Sequence, residues 1–345
     1  MRLASVNPAD INVLQGVYPS VPSPRDIPGL QTPHRVGGNE GLGEVQELDE
    51  KGRQAGLREG DWVIFGKPQM GTWTSHMIAP ASDLIPIPRE AKENLTEVMG
   101  STLMINPATA ICMLRDFEQL KKGDVIVQNA ANSAVGQAVV QLAARVLGVE
   151  TINFVRDRPD LQGLRSDFEE WGRGGPGTHV FTYDALSNRE TSSETKDAVK
   201  RIANGRPIKL ALNALCGKDT TNMSKLLAPS ASLVTYGAMS RSPLSLPASL
   251  LIFRDLKARG FWMSTWYAMH TRQERAALTA ELAHWYAQAI LAPPKANIIT
   301  LTHDHEQQSL SGEAQGEKRH VDQAGRIISE TMQGSQGAKT FLKFQ

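Results

Sequence analysis

Cysteine is nearly absent: Cys112 and Cys216 are the two in 345 residues. That excludes a disulfide framework and a cysteine-rich zinc site. Net charge is nearly absent as well, with 37 basic side chains against 36 acidic ones. Such a balance argues against a surface dominated by nucleic-acid binding, though it leaves room for a local basic patch. No apolar run approaches the ~18 residues of a membrane helix. Met1 to Asp10 carry neither a signal-peptide pattern nor an Arg/Ser-rich transit peptide. The chain enters Ser5-Val6-Asn7-Pro8-Ala9-Asp10-Ile11-Asn12 almost at once, so we expect it to lack its natural beginning. Its eight histidines are scattered. The close pair in His303-Asp304-His305 has no third ligand nearby and reads as a solvated loop, so no metal is expected.

What is present is an ordinary globular composition, 41% hydrophobic and 21% charged, enough to bury a core in about two domains. Residues 1–103 are rich in Gly and Pro, with short apolar runs at Trp62–Phe65 and Leu84–Ile87. Runs bounded in this way read as strands of a β-rich domain. The pattern then changes. Asp124–Gln128 predicts a strand, and Val135, Ala138, Val139, Leu142, Ala143 and Val146 mark one face of a helix. Gly148 sits where that helix would end, and Thr151–Val155 predicts the next strand. Further strands are expected at Lys209–Asn213, Ser232–Tyr236 and Gly260–Ser264, with helices near Thr221–Leu227 and over 271–291. Strands alternating with helices predict an α/β fold with a doubly wound parallel sheet. Residues 303–320 are polar and irregular, as an insertion would be.

The turn after the strand at 124–128 reads Asn129-Ala130-Ala131-Asn132-Ser133-Ala134-Val135-Gly136. It departs from G-x-G-x-x-G, yet its small residues still permit close backbone approach to a phosphate at a helix N-terminus. Asn132 or Ser133 would cap that helix. About 20 residues beyond Gly136 comes Arg156-Asp157-Arg158-Pro159. An acidic residue there would bind the ribose of NAD; a basic pair accommodates the 2′-phosphate of NADP. Ligands of an open parallel sheet bind beyond the carboxyl ends of its strands, which here adds Asn213–Gly217, Tyr236–Met239 and Phe261–Ser264.

Taken together the segments resemble the medium-chain dehydrogenase/reductase superfamily, and within it the mitochondrial 2-enoyl thioester (enoyl-ACP/enoyl-CoA) reductases. The resemblance rests on Val6–Asn12 through Gln15-Gly16-Val17-Tyr18-Pro19, on Gly37–Gly41, Gly60–Ile64, Gly71-Thr72-Trp73 and Ile105–Ala110. It continues through Gln128–Gln137, Val155–Pro159, Ala211-Leu212-Asn213, Thr235–Met239 and Gly260-Phe261-Trp262. Where zinc-dependent relatives carry a G-H-E ligand segment, this chain has Gly38-Asn39-Glu40, so the resemblance implies a zinc-independent enzyme.

The resemblance implies a Rossmann-type domain, residues 104–265, inserted in a GroES-like catalytic domain built from 1–103 and 266–345, N-terminally truncated here. It implies NADPH-dependent reduction of trans-2-enoyl thioesters in mitochondrial fatty acid synthesis. Tyr18 is then the catalytic tyrosine, as proton donor or as donor to the enolate oxygen. The implied NADPH contacts are Asn106, Asn132, Ser133, Ala134, Val135, Arg156, Asp157, Arg158, Tyr236, Gly237, Ala238, Met239, Phe261, Trp262, Met263, Ser264 and Lys339. Trp262 is read as bordering the cofactor and filling core, and Ala238 as replacing a family glycine. Enoyl-ACP or enoyl-CoA is the implied substrate, a homodimer the implied assembly and the mitochondrial matrix the implied location; no nucleic acid or membrane is expected. Arg254, Lys257 and Arg259 read either as a docking patch for a carrier or as a solvated face. A quinone reductase, and a chain that binds NADPH without catalysis, stay open as alternatives.

Overall fold

The computed structural model describes residues 1–27, 30–301 and 338–344. The expected insertion at 303–320 and the His303/His305 pair lie outside the described residues. The chain forms two compact units. One comprises Met1–Ile105, Tyr267–Ala287 and Pro293–Gln345; the other comprises Asn106–Trp266 and Gln288–Ala292. No described helix is long and apolar enough to cross a membrane.

Twelve strands are described: β1 (Leu3–Ser5), β2 (Gly41–Glu44), β3 (Trp62–Phe65), β4 (Leu84–Pro86), β5 (Val125–Gln128), β6 (Glu150–Val155), β7 (Thr178–Thr182), β8 (Leu210–Asn213), β9 (Ser232–Thr235), β10 (Lys257–Gly260), β11 (Ala296–Leu301) and β12 (Lys339–Phe344). In the first unit they form a six-stranded sheet ordered β11-β12-β1-β2-β3-β4. Its pairings are antiparallel except β11 with β12. β1 is only three residues long, yet all three are buried, because β12 covers one edge (Ala4 opposite Leu342) and β2 the other (Ala4 opposite Gly41).

The second unit carries the α/β fold expected from the alternating pattern. Its sheet is ordered β10-β9-β8-β5-β6-β7 and every pairing is parallel. The order turns back at β5, which pairs with β6 on one side and β8 on the other, and ligands of such sheets bind beyond the carboxyl ends at that reversal. Both faces are covered, the signature of a doubly wound sheet. Val125, Val127, Ile152, Phe154, Ala211 and Leu233 pack on one face with Leu186, Val199 and Met223. Val155 packs on the other with Val140, Leu164 and Phe168. Each such aliphatic or aromatic side chain contributes about 1.5–3 kcal/mol through burial.

Locally the sequence signals act as expected around β5. Ser133 caps the helix Ala134–Leu142, its hydroxyl accepting from the Gly136 N–H at 3.2 Å. The helical turn continues to Leu147 and stops at Gly148, whose φ of +64° is left-handed. Two assignments need correction. The strand expected at Gly260–Ser264 lies earlier, at Lys257–Gly260, and Met263–Met269 is a helix. Aromatic Phe261 and Trp262 suggested a buried strand, whereas the strand that forms is an exposed sheet edge with charged side chains, a usual edge composition. The helix expected at Thr221–Leu227 spans Gly217–Ser224.

Candidate functional site

The carboxyl ends of β5, β8 and β9 are held by buried side-chain amides and hydroxyls. Asn129 Nδ2 donates to Asn213 Oδ1 at 2.8 Å and to Thr220 Oγ1 at 3.0 Å, and Asn129 Oδ1 accepts from the Ala214 N–H at 2.8 Å. Asn213 Oδ1 also accepts from the N–H groups of Leu215 and Cys216, both at 3.1 Å, and its Nδ2 donates to Thr235 Oγ1 at 3.0 Å. One strand over, Gln128 Nε2 donates to Gly136 O at 3.1 Å and Asn153 Oδ1 at 2.7 Å. Among the described residues Gln128 Oε1 alone of these amide atoms is left without a partner; the rest form a buried network that rigidifies the loops it reaches.

The loops after β5 and β9 carry several of the sequence-derived residues of this unit. In the turn after β5, Ala130 is left-handed at φ +49°, and Gln137 Nε2 donates to Asn132 O at 2.9 Å. A Cβ on Gly136 would lie 2.3 Å from the Ala131 carbonyl oxygen. Glycine is therefore required, and helix and turn are brought into the close approach that a dinucleotide fingerprint provides. Ser133, Ala134 and Val135 form the helix start, where the first-turn N–H groups of Ala134 and Val135 and the dipole favour an anion. β6 ends at Val155, followed by exposed Arg156 and Asp157 and half-buried Arg158. Asp157 Oδ1 accepts from the Arg158 N–H at 3.0 Å, and neither guanidinium has an ion pair among the described residues.

Beyond β9, the Tyr236 phenol is buried, and burial holds it well above the usual phenol range, with Ser133 acting the other way. Its hydroxyl makes no hydrogen bond of normal geometry. Gly237 lies against Ala214, and the Met239 N–H donates to Ala214 O at 2.8 Å. Ala238 does not have a positive φ, so alanine sits there without backbone strain. After β10, Phe261 packs edge-on to Phe117 at 6.1 Å between centroids, Met263 is buried and Ser264 is half-buried. Trp262 is 40% exposed, so the expectation that it fills core does not hold. Asn106 begins a separate helix, Asn106–Asp116; it is buried and its Nδ2 lacks a hydrogen-bond partner.

Tyr18 and Lys339 belong to the first unit. Tyr18 follows the helix Pro8–Leu14 through Gly16, whose φ of +70° turns the chain, and the Val17 N–H donates back to Asn12 O at 3.0 Å. Tyr18 is half-buried. Lys339 lies on β12 with only 7% of its side chain exposed, so it is not a surface lysine. Its Nζ donates to Asn7 Oδ1 at 2.6 Å and stands 3.8 Å from Glu40 Oε2. Asn7 ties the cluster together: Nδ2 donates to Glu40 Oε2 at 3.1 Å and its backbone N–H to Asp10 Oδ2 at 2.8 Å. Glu40 Oε1 accepts from the Ile105 N–H at 2.8 Å. Asn39 is structural, its Oδ1 accepting from the Gln69 N–H at 2.6 Å. Sequence reasoning missed this cluster, because Asn7, Asp10, Glu40 and Lys339 meet only when β12 docks beside β1.

Burial dominates the charges of the cluster. It pushes the Asp10 carboxyl from 3.8 up to about 7, against the Asn7 N–H and Lys339 and with the help of Glu40. It also raises Glu40, against Lys339, and lowers Lys339, against both carboxylates. Asp10 therefore binds its proton more tightly folded than unfolded. Its contribution to stability is fully present below the unfolded value and is lost as pH rises through about 7. Asp10→Asn keeps an acceptor for the Asn7 N–H and removes the charge. Its stability relative to wild type should rise as pH increases from about 5 to 8, read by urea unfolding at each pH. A difference independent of pH would show that Asp10 does not titrate in this range.

Two six-stranded sheets, one all-parallel with a glycine-tight turn at its switch point and one built from both chain ends, define a GroES-like, Rossmann-type oxidoreductase fold. Residues 1–89 match the alcohol dehydrogenase GroES-like domain. The mitochondrial enoyl-acyl-carrier-protein reductase of Yarrowia lipolytica is 39% identical over 297 residues, 86% of this chain and 73% of that protein. The structure of the Etr1p complex with NADP and crotonyl-CoA aligns with a TM-score of 0.82 at 30% identity, covering 99% of this chain and 89% of that one. The mitochondrial 2-enoyl thioester reductase Etr1p/Etr2p heterodimer from Candida tropicalis aligns at 0.81 and 29% identity, with 99% and 89% covered. The chain belongs to the mitochondrial enoyl-acyl-carrier-protein reductase family.

Proposed function

We propose that this chain reduces trans-2-enoyl thioesters with NADPH. One observation carries the reading: the likeness to a reductase held with NADP and crotonyl-CoA extends over 99% of the chain. The residues fit a phosphorylated dinucleotide. Glycine at 136 is the one residue type that lets helix and turn meet, Arg156 and Arg158 make no ion pair among the described residues, and among those residues Asn106 Nδ2 and the Tyr236 hydroxyl are buried without a hydrogen bond of normal geometry.

When bound, NADPH supplies a hydride to C3 of the enoyl group. Asn132 to Val135 and the helix start would hold its pyrophosphate. Arg156 and Arg158 would hold the 2′-phosphate, with Asp157 fixing the loop through the Arg158 N–H. Asn106, Tyr236 to Met239 and Phe261 to Ser264 would position the remainder, and Lys339 is assigned to the cofactor by the same resemblance. The product of hydride addition is an enolate whose oxygen needs a donor and whose C2 needs a proton. The Tyr18 phenol supplies one of the two.

The same reading extends to partners. β10 is exposed along its length at the edge of the parallel sheet, and the preceding helix presents Leu251, Ile252 and Phe253 to solvent, the last at 81% exposure. An open edge beside apolar side chains supports a homodimer formed by edge pairing. A carrier patch at Arg254, Lys257 and Arg259 has less support. Arg254 donates to the carbonyls of Lys225 and Leu227, and Arg259 lies over the Phe117 ring. The substrate is carried as an enoyl-ACP or enoyl-CoA, and the site of action is the mitochondrial matrix, in keeping with relatives named mitochondrial.

The test is NADPH oxidation with a trans-2-enoyl-CoA and, separately, with a quinone. Turnover with the thioester and none with the quinone is expected. The reverse would move the chain to the quinone reductases, and NADPH binding without turnover on either would make it a non-catalytic relative.

A further inference from the structure

Tyr183 is absent from every set of residues that the sequence singles out. It begins the short helix after β7, at the far edge of the parallel sheet. Its hydroxyl nevertheless reaches across β6 to the turn after β5 and accepts the Ala130 N–H at 2.8 Å. Ala130 is left-handed, a conformation that alanine adopts only under constraint. The rest of the turn depends on it: the Ser133 N–H donates to Ala130 O at 2.9 Å, and Ala131 carries the carbonyl against which Gly136 packs.

We infer that Tyr183 is a positioning residue for the cofactor: its hydroxyl holds the Ala130 turn, and through it the Ser133 end of the helix, in the form that receives the pyrophosphate. This rests on the reading that the chain binds NADPH. Two further facts support it. Burial pushes the Tyr183 phenol up to about 12, so it stays neutral and keeps an oxygen lone pair for the N–H. Among the described residues no other side chain accepts the Ala130 N–H, and a buried amide left without an acceptor is costly.

The inference separates loop positioning from phosphate recognition. Tyr183 also lies within electrostatic range of Arg156, so a direct contact to the 2′-phosphate is the competing account. Only the second account ties the residue to one cofactor. In Tyr183→Phe the ring stays and the oxygen goes. Binding of NADPH and of NADH, followed by nicotinamide fluorescence with the full chain, should weaken by the same factor, about tenfold. The kcat at saturating NADPH should stay unchanged. Arg156→Ala, by contrast, should weaken NADPH alone.

A second variant guards against a simple folding defect. Glycine takes a positive φ freely, so in Ala130→Gly the turn needs less help from the phenol. Tyr183→Phe made in that background should cost less affinity than it costs alone. A selective loss of NADPH binding, unchanged affinity for both cofactors, or equal losses in the two backgrounds would each overturn the inference. A wild-type chain that binds neither cofactor would overturn the functional reading itself.

Discussion

Tyr18→Phe should lower kcat for a trans-2-enoyl-CoA by about 10²–10⁴-fold, the range for a lost general acid or a lost donor to a developing oxyanion. The ring volume is retained, and Gly16 and the Val17-to-Asn12 backbone bond, which the substitution leaves in place, shape the turn that carries Tyr18. Folding should therefore be unaffected. NADPH contacts are assigned to other residues, so NADPH affinity should also be unchanged, and the defect should appear in kcat rather than in KM for the cofactor. Steady-state kinetics with direct NADPH titration reads both quantities. A variant with undiminished turnover would remove the role from Tyr18.

The second large effect is expected at Lys339. Its ammonium is the cation of a pocket that also holds Glu40 and Asp10. In Lys339→Met the side chain keeps its length and loses its charge. Glu40 is then left buried without its counter-ion, a change worth about 3–5 kcal/mol. The cost depends on pH. Both carboxyls already titrate above their usual range, and without Lys339 they rise further, so protonation relieves the pocket in acid. Urea unfolding should show a large loss near pH 8 that shrinks near pH 5. Glu40→Gln placed on top of Lys339→Met should recover most of it, because the uncompensated charge is gone. Equal losses at both pH values would mean that no buried carboxylate was left behind.

The two units were not equally legible in the sequence. β5, the Ser133-capped helix and β6 are close in sequence and carry strong periodic signals, so they and their turn could be read directly. Gly136 was visible as a small residue at a helix start, and its reason for being glycine, the Ala131 carbonyl, was not. β10 was displaced because an exposed edge strand has no hydrophobic alternation to betray it. In the first unit, β1 is too short to signal itself, and its register depends on a partner more than 330 residues away. The Asn7–Asp10–Glu40–Lys339 cluster followed the same rule. Spacing along the chain says nothing about charges brought together by a distant strand. Tyr183 looked like any aromatic at a strand end, and its hydroxyl has a role only because β7 lies two strands from β5.

The place of β12 bears on how the molecule assembles during synthesis. It lies between β11 and β1, pairing Leu342 with Ala4. The parallel sheet needs nothing later than β10 and is available to fold while the ribosome is still at work. The other sheet must wait, with the edge of β1 unsatisfied, until β12 emerges after every other described strand. That delay makes closure of a very long loop a late step. A nascent or prematurely terminated chain is therefore a half-finished molecule, with its parallel sheet formed, its other sheet open and two acids awaiting their lysine.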